Sequence, residues 1–378
     1  LDRWETPPFE PDLRHGRVYA RGAEDNKGQL SSVLAALETC LNNDALSAPV
    51  KVLIEGEEEC GSSSTLPCLD AWKDRLQADI LMVADTETVP SGAPTITMGL
   101  RGMLVLSGCV RGAEYDLHSG AHGGVAPNPA VGATRLLASL HDEEGRVAVK
   151  GFYEGVRDPT PEQRHLVEKQ EFDAEAYRHQ TGVDPVAGEP GFLPPERSGL
   201  RPCLDINGLH TGCDPAAFKT IIPSTAEFVL SARLVAGQDP MLCRDRLIRH
   251  LHDHLPPGLT LEVAPHSTPS PGLMLPMDAP ALTLARDVLS SLSDQPVAFH
   301  WAGGPFRSSA PWRPHRAPIR FWSDSGTPTT GPTRRTNPFP SISSAAAISI
   351  TRCFWRVCDG PPRDARVERI GEYEMQRD

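Results

Sequence analysis

Three consecutive glutamates, Glu57, Glu58 and Glu59, follow the apolar run 52–54 and come just before Gly61. The apolar run predicts a short buried strand, so the acids are expected where that strand leaves the core. Neighbouring carboxylates repel one another, and removal of water strengthens the repulsion. A bound metal ion would relieve it, with one carboxylate as ligand and its neighbour as general base. A solvated acidic loop is the alternative, and these residues alone do not separate the two.

Two further acids would join this cluster in a layered fold. Asp25 follows a strand-like run that begins at residue 16, and Asp85 ends the apolar run 78–84. In an open α/β sheet, ligands gather at the carboxyl ends of the strands. Asp25, Glu59 and Asp85 would then converge although they are far apart in sequence. A single aspartate at a strand end is more often a turn residue or a helix cap. Together, however, the three acids favour a carboxylate-rich metal site.

Five short motifs resemble those of the di-zinc dipeptidase and aminoacyl hydrolase family, which includes carnosinase-like dipeptidases, acetylornithine deacetylase, succinyl-diaminopimelate desuccinylase and carboxypeptidase G. They occur in the family's order and at its spacing, and they extend from residue 1 to about residue 304. The motifs are residues 4–9 (WETPPF), 21–28 (RGAEDNKG), 55–62 (EGEEECGS), 116–120 (DLHSG) and 303–304 (GG). The first and fourth are most similar to the dipeptidase branch.

The resemblance implies a role for each acid. Asp25 would bridge two zinc ions, Glu59 would bind one of them and Asp85 would bind the other, with manganese or cobalt as alternatives to zinc. Two such cations, about 3.5–4 Å apart, lower the pKa of a shared water and clamp the attacked carbonyl. Glu58 would be the general base on that water. Glu57 would be a surplus, solvated acid.

The same resemblance assigns three residues outside the acidic cluster. His118 would reach into the active site of a partner subunit and stabilise the oxyanion, which predicts a homodimer. Arg233 resembles the family's clamp for the substrate carboxylate, for which a planar bidentate donor is suited. A surface arginine on a strand is the alternative for Arg233. Thr220 lies on a strand-like run of the same region and is predicted to bind substrate.

The order of elements predicts an α/β protein with a zinc-peptidase-like catalytic domain and an inserted ferredoxin-like α+β lid. Residues 1–98 would begin the catalytic domain, residues 99–275 would form the lid and dimerisation domain, and residues 276–304 would return to the catalytic domain. A polar, proline- and glycine-rich excursion at 151–200 is expected within the lid. Periodicity predicts helices at 29–41, 129–140, 241–255 and 280–292, and strands at 103–110, 226–234, 259–263 and 297–301.

The chain departs from the family pattern at both ends. The family's first zinc histidine lies upstream of the WETPPF motif, whereas this sequence starts three residues before Trp4. A truncated gene record or a fragment is the expected explanation. After Gly304 the family continues with Ser-Ile-Pro-Val and later supplies its last zinc histidine, whereas residues 305–312 read PFRSSAPW.

Residues 305–378 are rich in Pro, Arg, Ser and Thr and show no sustained period. A divergent disordered tail is one explanation. The other is a reading frame shifted by loss of one nucleotide after Gly304. With a one-base shift, residues 305–309 permit Ile-Pro-Val-Val, and residues 328–337 permit Asp-Asp-Gly-Ala-His, both of which resemble family segments. We predict an out-of-frame, mostly disordered tail.

Composition limits the function classes. Of the 378 residues, 39% are hydrophobic and 23% are charged, which is typical of a globular protein. The net charge of −12 disfavours nucleic-acid binding, and no apolar run approaches the length of a membrane span. Nine unpatterned cysteines favour reduced thiols and a cytoplasmic location. His250, His252 and His254 are expected at the surface of a helix rather than as metal ligands.

These features favour a metal-dependent hydrolase that cleaves dipeptides or N-acyl amino acids by attack of a hydroxide held by two zinc ions. The alternative is a catalytically inactive dimerising scaffold of the same fold, because metal-ligand histidines are missing. A nucleotide site at residues 22–28 is disfavoured, because no P-loop lysine and hydroxyl follow the required glycine spacing.

Overall fold

The computed structural model describes residues 4–304 apart from positions 59–61, 63, 86–88, 90, 215, 217 and 267, together with residues 319–322 and 338–340. Its helices are α1 (Lys27–Asn42), α2 (Thr65–Trp72), α3 (Ser119–His122), α4 (Pro129–Ala138), α5 (Pro161–Glu168), α6 (Ala174–Thr181), α7 (Pro194–Gly199), α8 (Pro240–Asp253) and α9 (Pro280–Ser290). Its strands are β1 (Asp12–Arg14), β2 (Arg17–Tyr19), β3 (Leu81–Ala84), β4 (Thr95–Leu100), β5 (Gly102–Arg111), β6 (Leu117–His118), β7 (Cys203–Thr211), β8 (Ile221–Ile222), β9 (Thr225–Leu234), β10 (Thr260–Pro265), β11 (Leu273–Met274), β12 (Ala298–Ala302), β13 (Ile319–Trp322) and β14 (Pro338–Pro340).

A four-stranded antiparallel sheet with the order β10-β5-β9-β7 forms one layer of the protein. Along the chain its elements run β5, α4, β7, β9, α8, β10. This β-α-β-β-α-β sequence is the ferredoxin-like arrangement. The predicted ferredoxin-like layer is therefore confirmed in strand order, while its function as a lid stays a prediction.

Along the strands of this layer, buried residues alternate with more exposed ones, and the buried residues form its core. Strand β9 buries every second residue, and β5 does the same beside it. Their buried side chains pack against apolar residues of α4 and α8, such as Leu136 and Leu247. The ring of Phe228 lies so close to Gly108 of β5 that a Cβ at this position would overlap it, so only glycine fits there. The period of two in the sequence thus places one face of the sheet against the helices.

A second layer contains the strands expected of the catalytic domain. Strand β4 lies between β11 and β12, pairing antiparallel with β11 and parallel with β12, and β3 pairs parallel with β13. Helix α9 packs Leu282 and Leu289 into the same core as Met98 of β4 and Trp301 of β12. The return of the chain to this layer after the ferredoxin-like sheet agrees with the predicted element order. The domain limits at 98, 275 and 304 stay predictions.

Most of the elements predicted from periodicity are present within a few residues of their expected limits. The helices predicted at 29–41, 129–140, 241–255 and 280–292 are α1, α4, α8 and α9, and the strands predicted at 103–110, 226–234, 259–263 and 297–301 are β5, β9, β10 and β12. Asn128 caps α4 through hydrogen bonds from the backbone N–H groups of Ala130 and Val131, and Asp239 caps α8 in the same way.

The buried strand predicted at residues 52–54 is wrong. These residues are in no strand, and Val52, Leu53 and Ile54 are 46%, 40% and 56% exposed. A run of apolar residues becomes a buried strand only when neighbouring strands satisfy its backbone groups. Among the described residues, none pairs with this segment. The side chain of Lys51 instead donates a hydrogen bond to the carbonyl of Gln77.

The excursion at 151–200, predicted to lie within the lid, contacts more than the ferredoxin-like layer. It contains α5, α6 and α7, and both α5 and α7 contact β12 in the other layer. A bidentate ion pair anchors its end, with Arg201 Nε and Nη2 donating to the two carboxylate oxygens of Glu189 at 2.6 and 2.9 Å. Both side chains are nearly fully buried.

Residues 305–378 include the short strands β13 and β14, and β14 pairs antiparallel with β2. The other residues of this range lie outside the described part of the chain, so the predicted out-of-frame, disordered tail stays a prediction. In the described part, no helix is both long and apolar enough to cross a bilayer. The described residues Cys68, Cys109, Cys203, Cys213 and Cys243 are free thiols.

The surface location predicted for the histidine cluster of α8 is wrong for His250. This side chain is only 8% exposed, and its Nε2 lies 3.0 Å from Ser139 Oγ at the end of α4. Its ring stacks on that of His254 at a centroid distance of 3.9 Å. Burial, and then the neighbouring His254, lower the pKa of His250, whereas Ser139 and Asp253 oppose the shift.

We expect this histidine to make the protein less stable in acid. Because folding lowers the pKa of His250, its stabilising contribution is complete above the unfolded pKa of about 6.5 and is lost as the pH falls below that value. His250→Gln should therefore reduce the drop in Tm between about pH 7.5 and about pH 5.5. His252→Gln, at an exposed position on the same helix, is the control and should leave the drop unchanged. Equal drops in both variants and the parent protein would contradict the prediction.

Candidate functional site

Asp25 and Asp85 are brought to the same place by the residue between Asp25 and helix α1. Asn26 Nδ2 donates to Asp85 Oδ1 at 2.7 Å and to the carbonyl of Ala84 at 2.8 Å. Ala84 is the last residue of β3, so Asp85 lies at the carboxyl end of that strand, as predicted. Asp25 and Asp85 are 60 residues apart in the sequence, and the side chain of Asn26 links the two segments that carry them.

The location predicted for Asp25 itself needs correction. Strand β2 ends at Tyr19, and Asp25 lies in the turn that leads from this strand into α1. Gly22 has a φ of +76°, a left-handed conformation that favours glycine, and its carbonyl accepts from the N–H of Lys27 at 3.0 Å. The peptide bond between Asp25 and Asn26 is cis. The RGAEDNKG motif thus forms a tight turn that places Asp25 beside the end of β3.

The acidic cluster is described only in part. Glu58 is half-buried and lies in a turn ahead of α2, whereas Glu59 falls outside the described residues. Glu57, predicted to be a solvated surplus acid, has a structural function instead. Its two carboxylate oxygens accept from the backbone N–H of Ser64 at 2.9 Å and from its hydroxyl at 3.0 Å. Glu57 therefore fixes the start of α2, one residue from the proposed general base.

The chemistry of these donors fits a divalent metal. Carboxylate oxygens are ligands for zinc and for manganese, and Asn26 holds Asp85 at the turn that carries Asp25. Within the described ranges, which do not include Glu59, no group of three or more His, Cys, Asp or Glu side chains is arranged to hold a metal ion. Asp25 and Asp85 are therefore the described candidates for metal ligands.

His118 and Thr220 form a second pair. Strands β6 and β8 pair antiparallel with His118 opposite Ile221, and the N–H of Ser119 donates to the carbonyl of Thr220 at 2.9 Å. His118 and Thr220 are both exposed. The ring of His118 lies so close to Gly120 that a Cβ there would be 2.8 Å from Cε1. The motif DLHSG therefore leaves space for the ring and presents it to solvent.

Arg233 lies on a different sheet from both pairs. It is half-buried on β9, in register with Cys203 of β7 and Met103 of β5. Its side chain is on the face of the ferredoxin-like sheet opposite the buried residues Ala232 and Leu234. The structure thus brings the segments of Asp25 and Asp85 together, and likewise those of His118 and Thr220. Arg233 belongs to neither pair, because it lies on the ferredoxin-like sheet.

The contacts of three residues were not predicted from the sequence: Asn26, Glu57 and Arg101. Arg101 donates hydrogen bonds to the carbonyl groups of Gly303, Arg197 and Arg201. Asn26 was detectable in principle, because it directly follows the predicted bridging aspartate. Glu57 binds Ser64, and Arg101 binds backbone carbonyl groups. No pattern of residue spacing in the sequence predicts either contact.

Comparison with known sequences gives the same assignment as the motifs. The sequence pattern of peptidase family M20/M25/M40 matches residues 1–312. A Beta-Ala-His dipeptidase of Rattus norvegicus is 30% identical over 260 residues, which are 66% of this chain and 51% of that protein. A cysteinylglycine-S-conjugate dipeptidase of Corynebacterium striatum is 31% identical over 265 residues, 69% of this chain and 56% of that protein. The chain spans about half the length of the curated relatives it matches.

Solved structures agree with the sequence relatives. An M20 family metallo-carboxypeptidase from Sulfolobus solfataricus superimposes with a TM-score of 0.82 at 25% identity, covering 94% of this chain and 81% of that chain. Human carnosine dipeptidase 1 superimposes with a TM-score of 0.70 at 22% identity, covering 93% of this chain and 76% of that chain, a likeness of fold. Because the family pattern matches far more than half of the residues, the chain belongs to peptidase family M20/M25/M40.

Proposed function

We propose that this protein is a metal-dependent hydrolase that cleaves dipeptides or N-acyl amino acids. The observation that carries the proposal is the hydrogen bond from Asn26 to Asp85, which holds two family-type carboxylates at one edge of the fold. Family membership supports peptidase chemistry, and the names of the sequence relatives support a dipeptide as substrate. A cytoplasmic location is a further proposal.

Two zinc ions, or manganese or cobalt in their place, would activate a water and polarise the scissile carbonyl when bound. Asp25, Glu59 and Asp85 would hold them. Asn26 would keep the Asp85 carboxylate in one orientation, which is the usual function of a hydrogen-bonding neighbour of a metal ligand.

Glu58 would move the proton. As general base it would take a proton from the attacking water and then deliver it to the nitrogen of the leaving amine, so that the amide bond breaks without an unstable amide anion. Glu57 supports this assignment, because both of its oxygens are engaged by Ser64 and it thereby fixes the segment from which Glu58 projects.

His118, Thr220 and Arg233 would bind the substrate. Arg233 would form a bidentate contact with the free carboxylate of a dipeptide or an acyl amino acid. His118 would donate a hydrogen bond to the carbonyl oxygen as negative charge develops on it. Its exposure on the short β6–β8 ladder supports action on the active site of a second subunit.

Metal analysis combined with a substrate panel tests this function. Protein made with the coding sequence upstream of the WETPPF motif included and with the reading frame restored after Gly304 is dialysed against zinc, manganese or cobalt, and bound metal is measured by mass spectrometry. Hydrolysis of dipeptides and N-acyl amino acids is then followed by release of free amine. We expect stoichiometric metal and metal-dependent hydrolysis. Little bound metal together with no hydrolysis would favour the catalytically inactive scaffold.

We predict that His118 acts in trans within a homodimer. Subunits with His118→Ala and subunits with Glu58→Ala should each be inactive when assembled alone. Mixed dimers should recover part of the activity, because one of their two sites contains both an intact His118 and an intact Glu58. Differently tagged subunits allow the mixed dimer to be purified, and lack of recovery in that dimer would contradict action in trans.

A further inference from the structure

Arg101 is the single residue between β4 and β5, the two strands through which the chain passes from the catalytic layer to the ferredoxin-like layer. Its backbone N–H donates to the carbonyl of Ala302 at 3.1 Å, at the end of β12. The connection is therefore too short to act as a flexible linker. Any rotation of one sheet relative to the other must act on the surroundings of this residue.

The guanidinium of Arg101 joins three segments around this connection. Nε donates to the carbonyl of Gly303 at 3.3 Å, directly after β12. Nη1 lies 3.3 Å from each of the carbonyl oxygens of Arg197 and Arg201, at the end of the excursion. It also lies 3.3 Å from Cys203 Sγ on β7. One side chain thus contacts the end of the catalytic strand, the excursion and the edge of the ferredoxin-like sheet.

These contacts are not explained by charge pairing. Arg101 is only 9% exposed, and among the described residues no carboxylate lies within 4.0 Å of its guanidinium. The nearby Arg201 is different, because it is paired with Glu189 and Asp158. Burial of a cation is unfavourable unless its donors are used. The acceptors of Arg101 are backbone carbonyls and a thiol, whose positions depend on the arrangement of the segments that carry them.

We propose that Arg101 is a positioning residue that fixes the Gly303–Gly304 segment of the catalytic layer against the strand pair β7–β9, which carries Arg233. Cys203, which receives one donor of Arg101, is in register with Arg233. The inference rests on the proposed function in one respect: the geometry that Arg101 maintains is that between the substrate-binding Arg233 and the carboxylate centre.

A lysine at this position could not reproduce the arrangement. The acceptors lie on opposite sides of the guanidinium, with Gly303 at Nε and Cys203 at Nη1. The planar fork reaches both at once, whereas an ammonium is a single point donor. Arg101→Lys therefore keeps the charge and most of the volume but loses the connection. Arg111→Lys is the matched control, because Arg111 is an exposed arginine of β5 paired with Glu262.

Hydrogen exchange of the whole protein, followed by mass spectrometry, tests the connection without any need for activity. Arg101→Lys should accelerate exchange about tenfold in peptides that cover residues 298–304 and 201–206, as expected for loss of hydrogen bonds from a charged donor. Peptides from α4 should be unchanged, and Arg111→Lys should match the parent protein throughout. Unchanged exchange in the two segments would overturn the proposal. Equal acceleration everywhere would also overturn it, because Arg101 would then only add to global stability.

Gly303→Ala perturbs the same contact from the other side and keeps the buried charge. Its Cβ would lie 3.0 Å from Arg101 Nη2 and 3.2 Å from the carbonyl of Ser198. It should reproduce the local pattern of exchange, and it decides the matter if Arg101→Lys does not fold. A normal exchange pattern in this variant would count against the proposal.

Kinetics then separate positioning from stability. Arg101→Lys should raise KM for a dipeptide about tenfold, with a smaller change in kcat and unchanged bound metal, because the contact to the substrate carboxylate is the one displaced. A fall in kcat alone would overturn the link to Arg233. If the protein with its reading frame restored after Gly304 hydrolyses nothing, the proposed function fails, whereas the exchange result for Arg101 still stands.

Discussion

Replacing Glu58 by glutamine is expected to lower kcat for dipeptide hydrolysis by about 10²–10⁴-fold while the bound metal is retained. Glutamine keeps the size of the side chain but cannot accept the proton of the attacking water. The comparison is made in protein that hydrolyses a dipeptide before the change, with metal content measured in parallel. Asp25→Ala should behave differently and lose metal, because it removes the proposed bridging ligand.

Glu57→Gln is the matched control for this prediction. It is the same substitution one residue earlier, on a carboxylate that accepts two hydrogen bonds from Ser64. It should cost stability through α2 and change kcat by only a few-fold. If Glu57→Gln were inactive and Glu58→Gln active, the general base would be assigned to the wrong glutamate. Full metal occupancy in Asp25→Ala would rule out the bridge.

Sequencing of the gene is expected to show that one nucleotide is missing directly after the codon for Gly304. Protein made with that base restored and with the coding sequence upstream of the WETPPF motif included should bind about two zinc ions per subunit and hydrolyse dipeptides, whereas the chain as it stands should do neither. The prediction rests on the two sequence segments that a one-base shift recovers, at 305–309 and 328–337.

The physical reason is an excess of negative charge. Asp25, Glu58, Glu59 and Asp85 would face one another without the zinc histidine that the family supplies after its Ser-Ile-Pro-Val segment. Carboxylates kept close together without cations repel, and the repulsion is larger away from water. The restored protein should therefore also have a higher Tm in the presence of zinc. An intact frame in the DNA, together with zinc-dependent hydrolysis by this very chain, would overturn the prediction.

The ferredoxin-like layer could be predicted from sequence because its signals are local. β9 alternates buried and half-buried residues, and α8 begins after a capping aspartate and a proline. Residues 52–54 have an equally apolar sequence but form no strand, since strand formation depends on a partner that local periodicity does not reveal. His250 was misplaced for a related reason. Its burial follows from the contact between α8 and Ser139, which is a property of the assembled layer.

The candidate site shows the same contrast between features that the local sequence indicates and contacts that form only in the folded protein. Asp25, Asp85 and His118 could be proposed as site residues because carboxylates and histidines in family motifs indicate chemistry directly. The contacts of Asn26 and Arg101 could not, because several of their acceptors are backbone carbonyls, and every residue has one. Composition predicted only a polar excursion within the lid, and it did not reveal the buried ion pair between Arg201 and Glu189 that orders the end of this segment.

The use of Asn26 has a consequence for attempts to make this protein more robust. Asn26 occupies the N-cap position of α1, but its side chain makes no capping hydrogen bond, and the first turn of the helix contains no acidic residue. A capping side chain typically contributes about 1 kcal/mol. Selection for thermal tolerance would therefore favour aspartate or serine at this position. Either replacement would remove the amide that orients Asp85, and aspartate would place another negative charge against it. A substitution at Asn26 that stabilises the helix would therefore disturb the site. Variant libraries selected only for resistance to heat should accumulate changes at Asn26 that keep the protein folded but lower its activity.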